Sequence, residues 1–552
     1  MIKGILIPLI CLIGIQASGQ IKGSQAIDSL FSEWNNTHSP GCALGIIQDG
    51  TLIYGRGYGQ ANLEYTIPNT DSTVFRIGST SKQFTAACII RLVEQGKLTL
   101  DNSLKDLFPA FPDYAAKITV QHLLNHTSGI RDYLQLAYLK GLGDDDYYRD
   151  QDVMDWLVHQ SDLNFEPGDE FLYSNSGYWL LGQIVNKVTG KNMAEYADQE
   201  LFQPLGMTHT HFHNDHTQIV KTRASGYVPD GKDGFRISMT TLDMIGDGGI
   251  FTTIKDLKKW DDAYYRSNIL SNSFWQMMTK PGMLNNGEQL DYASGLFIQD
   301  YKGLKTIRHG GAFVGFRAEL LRFPEQHCTI VLLANRGDAR ASVMANRVAD
   351  IVLKQQFMEI SGRKSAITEN IMPATTKEIA LQQLTGNYEI QPGLYLQLAL
   401  RNDTLHVVQS WDQSSFDIQR TMGNNFRIPG NPDIQFTFAN LENDLAQQLV
   451  VVQNDNRMEL TRMPEISMKT INQVEYSGDY YSIELDVTYH LTVENERLWI
   501  RINNNDPAEC QNAGKDAFTT DLGLVRFQRN QGILSGFELD SGRVKNLKFV
   551  KL

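Results

Sequence analysis

Phe75-Arg-Ile-Gly-Ser79-Thr-Ser-Lys82-Gln-Phe-Thr85 carries a Ser-x-x-Lys tetrapeptide at the start of a helical pattern that runs from Lys82 to Gln95. Residues three apart on a helix lie on one face, one turn apart, so the Lys82 amine can reach the Ser79 hydroxyl. A neutral or hydrogen-bonded amine takes the hydroxyl proton and activates the serine. A helix starting here also turns backbone N–H groups and the positive dipole end toward an anion forming beside Ser79. Alone the tetrapeptide is common by chance, and the bland alternative is a capped, solvent-facing helix start.

Two further elements lift it. Tyr173-Ser-Asn175 follows Pro167-Gly168 and precedes a helix beginning near Tyr178, which places it on a turn. A phenol there can shuttle protons, and a carboxamide can hold a substrate amide or the lysine. Arg308-His309-Gly310-Gly311-Ala312 then precedes a pair of candidate strands. Paired glycines let a substrate backbone approach a strand edge closely, and the Ala312 N–H can join that of Ser79 as an oxyanion hole.

Ser79-x-x-Lys82, Tyr173-x-Asn175 and His309-Gly310-Gly311, in that order, resemble the penicillin-recognising serine hydrolases: class C β-lactamases, D-alanyl-D-alanine carboxypeptidases, D-aminopeptidases and related esterases. Leu123-Leu-Asn-His-Thr-Ser-Gly129, Pro204-Leu-Gly-Met207 and Gly248-Gly-Ile-Phe-Thr-Thr253 followed by Asp256 are similar to the same family. The resemblance spans about Ser24 to Gln356. It implies an acyl-enzyme mechanism. Ser79 attacks an amide or ester carbonyl while Lys82 and Tyr173 handle its proton. Asn175, His309 and Gly311 bind substrate, and no cofactor or metal is needed. It also implies that His309 stands where most β-lactamases carry a lysine, beside Tyr173, able to bond the phenol and, when protonated, to help bind a substrate carboxylate.

Departures from the pattern narrow the substrate. Gly310 occupies the position where the family often has a threonine, whose hydroxyl helps bind a carboxylate. Losing that hydroxyl and the fixed lysine charge disfavours an efficient β-lactamase. The resemblance therefore implies a small peptide or ester substrate carrying D-amino acids, with β-lactam turnover as a side activity. The rival is a penicillin-binding or cell-wall-fragment sensor with little turnover.

Outward from these motifs, the ends of the segment carry strand signals. Cys42–Ile47 and Leu52–Tyr54 flank Asp49-Gly50, a hairpin signal. Arg317–Phe323 and Thr329–Leu333 flank Pro324-Glu-Gln326. Helical spacing lies between, as at Tyr178–Val188, and before them at Ser24–Trp34. The expected class is α+β: a β-lactamase/transpeptidase-like antiparallel sheet whose first and last strands meet, flanked by helices. Past Ser361 the chain turns polar, then shows short alternating runs and a repeat. Leu384-Thr-Gly-Asn-Tyr388 answers Tyr476-Ser-Gly-Asp-Tyr480, and Asn402-Asp-Thr-Leu405 answers Asn495-Glu-Arg-Leu498. Two small all-β units follow, barrels or sandwiches, with lipocalin-like barrels expected. The boundaries read as a signal peptide over 1–19, a hydrolase domain over 20–360, a linker over 361–380, and β modules over 381–465 and 466–552.

The remaining signals are weaker. The chain has 552 residues, 42% of them apolar and 20% charged, with a net charge of −13. This composition excludes disorder and disfavours nucleic acid or an anionic membrane as partner. Lys3, an apolar run to Ile15 and Ala17-Ser-Gly19 read as a leader, so a periplasmic or extracellular protein is expected. No apolar run is long enough to span a bilayer. Cys42, Cys88, Cys328 and Cys510 are scattered and read as buried thiols. His209, His211, His213 and His216 have a spacing that suits zinc or copper if extended, against a surface loop as the preferred reading. Asp144-Asp-Asp146 lacks the spacing of a calcium loop. His126 reads as structural, and the aromatic residues Trp411, Tyr480, Tyr481 and Trp499 read as core rather than a carbohydrate platform. A loop of the β modules reaching the site is a further possibility, and the oligomeric state is open.

Overall fold

The computed structural model describes residues 23–143, 146–231, 234–266, 268–358, 378–391, 394–409, 414–429, 431–442, 444–453, 456–463 and 473–552. The leader, most of the linker, Trp411 and Asp144-Asp145 lie outside them.

Six antiparallel strands form the central sheet, in the order Phe297–Tyr301, Leu304–Phe313, Phe316–Phe323, Cys328–Ala334, Cys42–Gln48 and Thr51–Tyr58. The first and last parts of the segment meet as expected, Cys42 opposite Ala334 through to Gln48 opposite Cys328. Asp49 and Gly50 both take positive φ, the conformation of a tight hairpin turn. Every residue of Cys328–Ala334 is buried because the sheet is covered on both faces. Leu44, Ile46, Leu321 and Leu332 pack with the terminal helices Ser24–Leu30 and Ala341–Val352. Ala43, Ile47, Leu320 and Val331 face the other way, into the core of the helical layer. Side chains alternate across a strand, so one sheet serves two cores.

The helical layer is built on Lys82–Glu94, whose residues from Lys82 to Ile90 are all buried, and on Asn175–Thr189. Ser79 sits just before the first of these, in a 3₁₀ turn over Gly78–Ser81. A 3₁₀ turn stacks residues i and i+3, so Ser79 and Lys82 still share a side.

Both C-terminal units are closed eight-stranded antiparallel barrels, over Gly386–Arg462 and Gly478–Lys551. Eight strands close around an interior that side chains can fill. The first barrel has its own core, including Tyr388, Phe426, Phe436 and Leu460. The second shares a continuous core with the helical layer, through Tyr489, Phe537 and Phe549 among others. Tyr480 is a core residue here. All four described cysteines are free and buried. Among the described residues no helix is long and apolar enough to cross a membrane.

Candidate active site

The side chain of Lys82 is buried, and its Nζ donates to three acceptors: Ser79 Oγ at 3.2 Å, Asn175 Oδ1 at 2.9 Å and the Asp247 carbonyl at 2.5 Å. Burial disfavours the ammonium and pulls Lys82 down to about 8, against the opposing pull of the Asp247 carboxylate and with the help of the Arg543 charge. An amine poised in this way exchanges a proton with Ser79 near neutral pH.

Tyr173 lies beside this pair, 4.9 Å from Lys82 Nζ to its ring centre. Burial raises its phenol above the ordinary range, eased by the nearby Ser79 hydroxyl. Among the described residues its buried oxygen makes no fully formed hydrogen bond. Loose contacts of this kind in a substrate-free site tighten around the reacting group. His126 packs against the ring at 4.1 Å between centroids, and its Nδ1 accepts from the Ser174 N–H at 3.1 Å. That bond fixes the turn carrying Tyr173. His126 has a left-handed φ of 58 and is held neutral by burial.

Asn175 opens its helix with its side chain clamped at both ends. The Asp132 Oδ2 accepts from Asn175 N at 2.7 Å and Nδ2 at 2.9 Å, leaving Oδ1 to face Lys82. Asp132 and Asp247 were not singled out from the sequence. Each adjoins a quoted motif, Asp132 a few residues after Asn125-His-Thr-Ser-Gly129 and Asp247 directly before Gly248-Gly. Asp247 Oδ2 accepts from Tyr133 OH at 3.1 Å, and burial raises its carboxyl to about 6.

The third motif lies on the strand Leu304–Phe313, packed against the 3₁₀ turn of Ser79, with the Thr80 hydroxyl donating to the His309 carbonyl at 3.2 Å. A Cβ on Gly311 would fall 1.9 Å from the Ile77 carbonyl oxygen, so no larger residue permits this packing. Gly78 has a φ of 50, and a Cβ there would lie 2.9 Å from the Ala312 nitrogen. This close approach brings the Ala312 amide against the residue preceding Ser79.

His309 departs from expectation. Its Nδ1 donates to the Gly310 carbonyl at 2.6 Å, and its Nε2 accepts from Tyr292 OH at 3.2 Å rather than from the Tyr173 phenol. Burial and the Lys82 charge lower it to about 3. A protonated His309 holding a carboxylate is therefore replaced by a neutral ring that braces Tyr292. The histidine cluster differs too: His213 is buried, His211 Nε2 meets His213 Nδ1 at 3.2 Å, and both pack on Phe251. His216 turns away to Asp243 at 2.9 Å. The preferred surface-loop reading holds for neither His211 nor His213.

Side chains from outside the hydrolase domain line the same cavity, among them Gln409, Phe416 and Met458 of the first barrel and Arg543 of the second. Arg543, on the turn between the last two strands of the second barrel, holds its guanidinium 4.8 Å above the Tyr173 ring centre. Its Nη1 lies 3.4 Å from Asp132 Oδ2. No local pattern marks this residue. Ser79, Tyr173, Asn175, His309, Gly311, Ala312 and Arg543 line one cavity of about 1290 Å³.

A family model described as Beta-lactamase matches residues 27–353. The chain belongs to the beta-lactamase family. It is a serine hydrolase of that family, with two β-barrels appended. Penicillin-binding protein 4* of Bacillus subtilis is 27% identical over 404 residues, covering 69% of this chain and 86% of the relative. The D-aminopeptidase of Gluconobacter oxydans is 27% identical over 56% of this chain, and the match spans 58% of the relative's length. Among solved structures, a penicillin-binding protein from Bacillus halodurans superimposes with a TM-score of 0.51 at 28% identity, over 59% of this chain and 98% of its own. The octameric penicillin-binding protein homologue from Pyrococcus abyssi shares the fold over 87% of this chain and 98% of its own, with a TM-score of 0.55 at 22% identity.

Proposed function

We propose that this hydrolase cleaves small peptide amides or esters, D-amino-acid-containing ones among them, through an acyl-enzyme on Ser79, and that it acts after export. The observation that carries the reading is the desolvated Lys82 amine at 3.2 Å from Ser79 Oγ. Neutral Lys82 takes the proton as Ser79 Oγ attacks the carbonyl carbon. The amides of Ser79 and Ala312 hold the oxyanion, Tyr173 delivers a proton to the departing nitrogen or oxygen, and water then hydrolyses the ester to Ser79. Asn175 orients the substrate amide, and Gly311 lets the third-motif strand, along whose edge the substrate lies, close against the Ser79 turn. The D-aminopeptidase relatives support the D-peptide substrate class. β-Lactam turnover is a side activity in this reading, since Gly310 supplies no hydroxyl. The leader-like first 19 residues support export.

Purified protein is mixed with D-Ala-p-nitroanilide, p-nitrophenyl butyrate and a chromogenic cephalosporin, beside Ser79→Ala, with product release and intact mass as readouts. Turnover of the anilide or ester is expected, falling at least about 10³-fold in the variant. A stable Ser79 adduct without product with all three would make the protein a binder or sensor. Cephalosporin turnover alone would make it a β-lactamase. No adduct and no product would overturn the reading.

A further inference from the structure

The cleft belongs to a protein of net charge −13, yet arginines dominate its charged walls. Five line the cleft, Arg76, Arg308, Arg317, Arg340 and Arg543, and two of them are tied into short hydrogen bonds. Arg308 pairs with Glu319 at 2.9 Å, and Arg317 donates to the carbonyls of Val314 and Phe316 at 2.8 and 2.7 Å. Arg76 is buried against the rings of Phe251 and Phe313. The third-motif strand offers no cation or hydroxyl of its own, because His309 is neutral and Gly310 has no side chain.

Arg340 is exposed and also lines the cavity, but Arg543 is the one of the five whose guanidinium lies over the Tyr173 ring. Its side chain is 44% exposed, and its one hydrogen bond among the described residues is the 3.4 Å contact to Asp132. That carboxylate does not need it. Oδ2 already accepts from Asn175 N at 2.7 Å and Nδ2 at 2.9 Å, and Oδ1 accepts from the Leu134 and Gln135 amides at 3.0 and 3.3 Å. A guanidinium has five N–H donors in a planar fork, so Arg543 keeps most of its donor capacity. Its backbone is fixed. The Arg543 carbonyl accepts from Asn164 Nδ2 at 3.0 Å, and the carbonyls of Lys545 and Asn546 accept from buried Arg131, each at 3.1 Å. The turn is thus pinned to the hydrolase domain while the guanidinium lies over Tyr173 and lines the cavity that contains Ser79.

We propose that Arg543 is a specificity-determining residue of this site and that it receives a carboxylate group of the substrate. The second barrel thereby supplies the cation that the third motif lacks. Guanidinium and carboxylate match as a two-bond fork, which selects a planar anion over a neutral amide of the same shape. The inference deepens the proposed hydrolysis and rests on it for the identity of the reaction, while the binding preference stands apart from turnover.

Binding is therefore measured on full-length Ser79→Ala protein. N-Acetyl-D-alanyl-D-alanine and its C-terminal carboxamide are titrated by calorimetry, as are succinyl- and acetyl-D-Ala-p-nitroanilide, which carry the carboxylate at the other end. In at least one pair the acid is expected to bind about tenfold or more tightly than its neutral partner, the range of a charge-assisted bond. Adding Arg543→Gln brings that ratio close to one, and Arg543→Lys, which keeps the charge, retains most of it. Equal or undetectable binding within both pairs overturns the proposal. So does a preference that survives Arg543→Gln, or one that Arg543→Lys abolishes while Arg543→Gln keeps it. If Arg543→Gln does not fold, the parent ratio and the lysine variant still decide. Failure of the hydrolase reading looks different: wild-type Ser79 would never be acylated by the chromogenic substrates, whatever the binding ratios.

Discussion

Tyr388 in the first barrel and Tyr480 in the second each donate their hydroxyl to the carbonyl four residues back, Leu384 at 3.0 Å and Tyr476 at 2.8 Å. Each ring has a cation from the closing strand over it, Arg462 at 5.5 Å and Lys551 at 5.4 Å. Matching turns follow, with left-handed φ at Asn402-Asp403 and at Asn495-Glu496. The two barrels are thus one plan used twice, and they part company at their outer walls. The second barrel sends Glu484 to the buried Arg131 and the Tyr489 hydroxyl to the Leu139 carbonyl at 2.7 Å, and Gln135 reaches its Ser541 at 2.8 Å. Arg131 adjoins Asp132, which clamps Asn175, which faces Lys82. The first barrel keeps a separate core and meets the cavity with mostly apolar side chains such as Ile434, Phe416 and Met458. The lesson is that an appended module becomes part of an active site through the few polar groups on one wall, while its internal plan stays unchanged.

The sharpest way to break this contrast is Glu484→Ala. It strands the Arg131 guanidinium in a buried interface, where an unpaired charge costs about 3–5 kcal/mol. Urea unfolding should show that loss in the transition shared by the hydrolase domain and second barrel, together with a fall in kcat/KM. Arg462→Met is the counterpart in the first barrel, where Arg462 bonds Tyr388 OH at 2.9 Å and the Ala446 carbonyl at 3.2 Å. It should cost about 1–3 kcal/mol in a separate calorimetric transition and leave kcat/KM unchanged. A single merged transition would refute the independence of the first barrel. Tyr489→Phe removes one buried bond across the docked interface, and a loss of about 1 kcal/mol is expected in the larger transition only.

The smallest effect is on pH dependence. In the proposed mechanism Lys82 must be neutral, so kcat/KM should rise with pH and level off above the lysine's value of about 8. The Arg543 charge helps to hold Lys82 down. Arg543→Gln should therefore move the acid limb to higher pH, while Arg462→Met should leave it in place. A limb near 6 would instead point to Asp247, whose carboxyl burial raises to about 6.

Much of the candidate site was legible because its spacings are local. Ser79 and Lys82 lie three residues apart and Tyr173 and Asn175 two apart, so short spacings announce them whatever surrounds them. The surroundings of His309 were not legible, for a physical reason. Its neighbours Tyr292 and Lys82 come from distant parts of the chain, and burial among them fixes the ring as neutral. His211 and His213 were misplaced likewise, since alternation shows which side they share but not that Phe251 covers it.

The sequence by itself determined the hydrolase chemistry, the sheet whose terminal strands meet, and the duplication of the C-terminal unit, because spacing, hydrophobic period and turn residues act over a few positions. Only the tertiary structure decided that the second barrel docks on the helical layer and that Arg543 stands over Tyr173. Desolvation and long-range contact depend on what packs alongside, and a single chain read in order carries no local mark of that.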